Sequence, residues 1–212
     1  MPRQPIEGVP GMTLRSPLAP SSRHQGARRA YPATVVAIGA LLLAGCSPGT
    51  SAGTSATLSV GTTTYAPATA PQVPRVTGTL LDGAKLRLAA YRGHVVVLNF
   101  WGSWCTVCRE EAPALSAAAK RFHAANVRFI GVDIEDNTAS ADAYMRHFDI
   151  NYPSLADPAD KIALNFSRVV PTTAFPSTLI ISPGQRITGR IIGAVSSRAL
   201  TQLVDRAEKQ AR

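Results

Sequence analysis

Phe100-Trp101-Gly102-Ser103-Trp104-Cys105-Thr106-Val107-Cys108-Arg109-Glu110-Glu111-Ala112-Pro113 is the stretch from which the rest of the chain can be read. It follows an apolar run, Val95-Val96-Val97-Leu98-Asn99, and leads into an alanine-rich pattern with helical spacing. Strand, short turn, two cysteines at i and i+3, then helix: this order puts the Cys105 sulfur at a helix N-terminus. The Cys108 sulfur sits one turn inside, within bonding reach of the first. In a strand–helix context a C-x-x-C pair reads as a redox pair. Zinc would need four ligands at matched spacing. His123 follows Cys108 at a passable distance, but the next histidine is His147 and the only other cysteine is Cys46. A purely structural disulfide would explain neither the two tryptophans before the pair nor Pro113 after it.

The run resembles the active-site segment of the membrane-anchored TlpA/ResA/CcmG-like thioredoxins of bacteria. That family shows Asn-Phe-Trp, a small residue or two, Trp-Cys-x-x-Cys, then a glutamate and a proline in the following helix. Here those positions are Asn99, Phe100, Trp101, Trp104, Cys105, Cys108, Glu111 and Pro113. The likeness runs from about Val76 to the C-terminus. It implies an α/β thioredoxin-like fold, a central mixed sheet flanked by helices, with an N-terminal hairpin and a TlpA-type α/β insertion. It also implies a thiol–disulfide oxidoreductase that needs no cofactor. The partners implied are proteins bearing thiols or disulfides and a membrane redox partner that resets the pair.

Cys105, at the exposed helix start, is the expected nucleophile. A free thiol has a pKa of roughly 8.5 and must lose its proton to attack. A helix N-terminus contributes at most ~2 kcal/mol, about 1.5 pKa units. Amide hydrogen bonds and the neighbouring sulfur must therefore add to it. Cys108 is the expected resolving thiol. Thr106-Val107 between them is neither the Gly-Pro of thioredoxin nor the Pro-His of a strong oxidant of this superfamily.

By the same resemblance Pro176 is the candidate cis-proline beside the pair. Reading Pro171 in that role would put Pro176 inside the following strand, where proline is disfavoured. Asn99 stands where thioredoxin keeps a buried aspartate, and Glu111 matches the family's buried active-site glutamate. Glu111 comes three residues after Cys108, so the two neighbour each other on a helix. Burial in an apolar pocket should raise its pKa, while Glu110 should face solvent. Trp101 and Trp104 are expected to wall the site. His24, His94, His123 and His147 show no pairing with the cysteines, and no metal ligand set is expected.

The front of the chain differs in kind. Arg28-Arg29 precede an apolar run from Ala33 to Ala44, long enough for a signal-peptide core and short of a bilayer span. Leu43-Ala44-Gly45-Cys46 resembles a bacterial lipobox, which implies lipidation at Cys46. Residues 1–45 read as a lipoprotein signal peptide and 46–74 as the lipidated cysteine with a disordered Ser/Thr/Gly/Pro tether. Residues 75–212 read as the thioredoxin-like domain. The net charge is +9, of which the five arginines and single glutamate of residues 1–45 account for +4. The remaining +5 is spread without a basic run, so no nucleic-acid partner is expected.

Within the domain, Arg75–Leu88 reads as a hairpin about Asp82-Gly83, followed by strands over 94–99 and 127–133. The helix after the cysteines should run to about Asn126, with a kink at Pro113. Helical patterns cover 138–148 and 159–166, a hairpin spans 177–192 across Pro183-Gly184, and a last helix covers 197–209. The expected task is disulfide reduction on the outer face of the cytoplasmic membrane, for instance of apocytochrome c cysteines. The rivals are a disulfide oxidase for exported proteins and a copper-binding or scaffold lipoprotein. A peroxidase reading is weaker, because Gly102 stands where a Thr or Ser precedes a peroxidatic cysteine.

Overall fold

The computed structural model describes residues 61–210. The signal-peptide and lipidation expectations therefore lie outside the described residues. Eight strands and four α-helices follow in the order β1 (Gly61–Thr64), β2 (Thr77–Thr79), β3 (Lys85–Arg87), β4 (Val95–Trp101), α1 (Thr106–Arg121), β5 (Val127–Ile134) and α2 (Thr138–His147). The remainder is β6 (Ser154–Asp157), α3 (Lys161–Asn165), β7 (Ser177–Ile181), β8 (Ile187–Ile192) and α4 (Ser197–Lys209).

Six strands form one sheet in the order β1-β8-β7-β4-β5-β6, with β4, β5 and β6 parallel and β7, β8 and β1 antiparallel. β4 is the central strand, and all seven of its residues are buried. A strand covered on both faces has no solvent side to mark with polar residues, hence the unbroken Val-Val-Val-Leu run. Alternate residues feed two cores. Val96, Leu98 and Phe100 join Ile130, Leu179 and Phe166 on one face; Val95 and Val97 join Leu115, Leu200 and Leu203 on the other. At the C-terminal end of β4 a third cluster gathers Trp101, Cys105, Cys108, Ala112, Ala141 and Tyr144.

The β2–β3 hairpin forms as the turn residues indicate and is tied to β6 by the Leu81 amide, which donates to the Ser154 carbonyl at 2.9 Å. The 159–166 pattern is helical only over Lys161–Asn165, and the insertion also supplies β6, parallel to β5. That short strand carries no run long enough to mark it in the sequence.

Two expectations are corrected. The tether does not extend to Pro74: Gly61–Thr64 pair with β8 from Gly61↔Ile192 to Thr64↔Gly189, and the Val73 amide donates to the Gln185 carbonyl at 3.1 Å. Main-chain pairing holds β1, and beyond it only the scattered Tyr65, Ala70 and Val73 are buried or packed on the core, so no hydrophobic periodicity marks the segment. α1 also stops before Asn126. It continues through Pro113 to Arg121 and is closed by Phe122. Asn126 instead ties the start of β5 to that of β4, donating to the Gly93 carbonyl at 2.6 Å and meeting the His94 ring. Among the described residues, no helix is long and apolar enough to cross a membrane.

Candidate active site

The chain leaves β4 at Trp101 and must reverse into α1 within four residues. At Gly102 a Cβ atom would lie 2.5 Å from the Trp104 indole nitrogen and 3.2 Å from the Ile134 carbonyl oxygen, so a larger residue would have to push the indole aside. The indole donates to that same carbonyl at 3.2 Å, and the Ser103 amide donates to the Asp136 carboxylate at 2.8 Å. The end of β5 thus grips the turn that delivers Cys105.

Cys105 is the N-cap of α1, and its sulfur accepts from the Cys108 amide at 3.1 Å. That bond supplies the amide donor the helix dipole needs as a complement when the sulfur is a thiolate. The two sulfurs are joined as a disulfide. Cys105 retains 7% exposure and Cys108 none, so only the first sulfur can be approached from outside. Trp104 and Val107 are exposed beside it, an apolar rim around a small reactive atom. Trp104 meets Phe175 edge to face at 6.5 Å. The Phe175–Pro176 bond is cis, and the Pro176 carbonyl accepts from the Gly193 amide at 2.9 Å.

One helical turn after Cys108 comes Glu111, 2% exposed, while Glu110 faces solvent. One carboxylate oxygen accepts from Asn99 Nδ2 at 2.9 Å and the other from the Val195 amide at 2.8 Å. Burial raises the Glu111 pKa to about 7, against the lowering effect of the Val195 and Asn99 bonds. The pocket is therefore not the purely apolar one expected. Asn99 also donates to Thr178 Oγ1 at 3.1 Å, linking α1 to β4 and β7. Asn99, expected from the resemblance to stand where thioredoxin keeps an aspartate, is here a donor to the carboxyl.

The two tryptophans divide the expected role. Trp104 faces outward, whereas Trp101 is 2% exposed and walls the pair from within, stacked on Tyr144 at 4.3 Å between ring centres. The Tyr144 hydroxyl donates to the Cys108 carbonyl at 2.8 Å. Tyr144 and Asp136 were not singled out in the sequence. Tyr144 reads as one more apolar position of an amphipathic helix, and Asp136 as a polar residue after a strand. A second buried carboxyl, Asp133, has its pKa raised to about 8 by burial, by the charge and hydrogen bond of Asp136, and by Asp142 and Asp157. Among the described residues, no three His, Cys, Asp or Glu side chains are grouped to hold a metal ion.

The AhpC/TSA family model matches residues 69–190. Thiol-disulfide oxidoreductase ResA of Bacillus cereus is 27% identical over 129 residues, 61% of this chain and 72% of that protein. A secreted thiol-disulfide isomerase from Corynebacterium glutamicum is similar in structure with a TM-score of 0.64 and 27% identity, covering 68% of this chain and 92% of that one. A DsbF homologue from Corynebacterium diphtheriae gives 0.65 and 25%, with 76% and 96% covered.

Proposed function

The chain belongs to the AhpC/TSA family, with a thioredoxin-like fold and the thiol–disulfide oxidoreductase activity of its relatives, and on that premise we propose that it reduces disulfides of exported proteins through Cys105 and Cys108. In the dithiol form the Cys105 thiolate attacks one sulfur of a substrate disulfide and the other sulfur leaves as a thiolate, which takes a proton from solvent. Cys108 then gives its proton to Glu111, attacks Cys105 Sγ in the mixed disulfide and frees the second substrate sulfur as a thiolate, which is likewise protonated on release. The protein ends as the disulfide and the substrate as the dithiol; a membrane redox partner returns two electrons.

The observation that carries the reductant reading is Glu111, a buried carboxyl three residues from Cys108 with a pKa of about 7. Near neutral pH it takes the proton of the resolving thiol without access to bulk water. Its ionised form opposes thiolate formation at both sulfurs. A pair whose reduced state is not stabilised as thiolate is the better electron donor. Gly102 speaks against peroxidase chemistry, since it brings no hydroxyl to the position three residues before Cys105.

Pro176 and Phe175 form the rim against which a substrate segment lies. Apocytochrome c cysteines fit as substrate, being exported and in need of the dithiol form. The Leu43-Ala44-Gly45-Cys46 run supports anchoring by a lipid at Cys46, extracytoplasmic like the secreted relative.

Trapping tests this assignment. Cys108→Ser should accumulate mixed disulfides between Cys105 and substrate, and Cys105→Ser should accumulate none. Equal trapping by the two variants removes the division into nucleophile and resolver.

A further inference from the structure

β1 buries no apolar side chain of its own; its glycine and threonines alternate between half-buried and exposed. One side chain ties it inward. Arg190, on β8, is 3% exposed, and its Nη2 donates to Thr63 Oγ1 at 3.0 Å while Nη1 donates to the Val169 carbonyl at 2.7 Å. Its Nε has no partner, and no ion pair among the described residues includes it. A guanidinium buried against neutral oxygens gives up its hydration with no opposite charge in return. An aliphatic side chain would fill the same space at lower cost. What the arginine links therefore explains it better than what it stabilises.

Val169 lies in the segment between α3 and β7 that leads to the cis Phe175–Pro176 bond. That segment is anchored at its start, where Val169 and Val170 are buried in the core, and the Ser177 hydroxyl donates to the Ala174 carbonyl at 2.6 Å near its end; between them the main chain is held by short-range turns. The Val169 and Val170 amides both donate to the Phe166 carbonyl at 2.8 Å, and the Ala174 amide to the Pro171 carbonyl at 3.0 Å. Thr172 and Thr173 are exposed. At the far end Phe175 meets Trp104, next to the reactive sulfur. A continuous path thus runs from Thr63 through Arg190 and Val169 to the rim of the site.

We propose that Arg190 is a positioning residue for the exchange reaction: by bridging Thr63 and Val169 it makes the N-terminal edge strand set the placement of the Phe175–Pro176 rim against which substrate is held. This rests on the reading that the rim receives the substrate. The arginine does not touch the reacting atoms, and it acts on binding rather than on the sulfur chemistry.

Three full-length variants test it. Thr63→Val removes one acceptor at nearly constant shape, Arg190→Met removes both bonds and the charge, and Arg190→Lys keeps the charge but cannot serve both oxygens. In each, the amides of Val170 and Ala174 should exchange hydrogen about tenfold faster than in wild type, the low end for one hydrogen bond made by a charged group. KM for a protein disulfide should rise by about the same factor, with kcat and the reduction potential unchanged. Wild-type exchange rates in Thr63→Val and Arg190→Met overturn the proposal, as does faster exchange with unchanged KM. If Arg190→Met fails to fold, Thr63→Val decides alone. Failure of the underlying functional reading has another signature, namely wild-type turnover by Cys105→Ser, and hydrogen exchange is read without any substrate.

Discussion

The Tyr144 hydroxyl donates a 2.8 Å hydrogen bond to the Cys108 carbonyl oxygen, so the insertion helix α2 holds the first turn of α1 where the Cys108 sulfur sits. The same ring stacks on Trp101 at 4.3 Å and so backs the redox pair from within. The insertion is thus part of the site's inner wall.

Tyr144→Phe keeps the stacking and deletes the donor. It should lower stability by about 1 kcal/mol in denaturant unfolding of the oxidised protein. Tyr144→Ala also empties the space under Trp101 and should cost about 3–5 kcal/mol. Equal effects from the two variants would mean that the hydroxyl, not the ring, carries the contact.

Glu111 and Glu110 are adjacent in sequence and opposite in environment, one buried and one exposed. Glu111→Gln should slow turnover about a hundredfold, the low end of what a general acid–base supplies. It should also alter the pH profile of thiol alkylation. Glu110→Gln should match wild type in both measurements. A Glu111→Gln enzyme with wild-type turnover and alkylation profile makes the carboxyl a structural group.

The pH dependence of stability follows from the same burial. The folded pKa of Glu111, about 7, lies above the ordinary value of 4.5, so folding favours the protonated carboxyl. Below the ordinary value both states hold the proton and the group makes no difference. As pH climbs from 4.5 to about 7 the unfolded chain ionises first, and stability falls by roughly 3 kcal/mol. Asp133, with an ordinary value of 3.8 and a folded one of about 8, acts in the same direction. Oxidised protein unfolded at pH values across that window should lose stability as pH rises, and Glu111→Gln should flatten the profile. Parallel profiles for the two proteins would contradict the burial argument.

Much of this was legible in the chain. The Val95–Leu98 run, the cysteine spacing and the amphipathic pattern of 197–209 each carry a strong local signal, and β4, α1 and α4 follow them. Pro176 could be chosen over Pro171 because a proline inside a central strand forfeits a ladder bond. What escaped notice is held by main-chain pairing or by side chains distant in sequence. β1 has no apolar face to announce it. Asn99 and the Val195 amide meet Glu111 across 12 and 84 positions, contacts that no local pattern encodes.

The proposed lipid anchor at Cys46 has a direct test as well. Cys46→Ser should move the protein from the membrane fraction to the soluble one, with the Cys105–Cys108 chemistry unaltered. A variant as firmly membrane-bound as wild type would put the anchor elsewhere.

The central claim is that a buried carboxyl one helical turn after Cys108 keeps the pair a donor of electrons, and the reduction potential of the Cys105–Cys108 couple tests it most directly. Equilibration of the purified protein against a thiol–disulfide buffer should give a value of about −270 mV or lower, in the range of a reductant. A value near about −120 mV, that of a strong oxidant, would contradict the account.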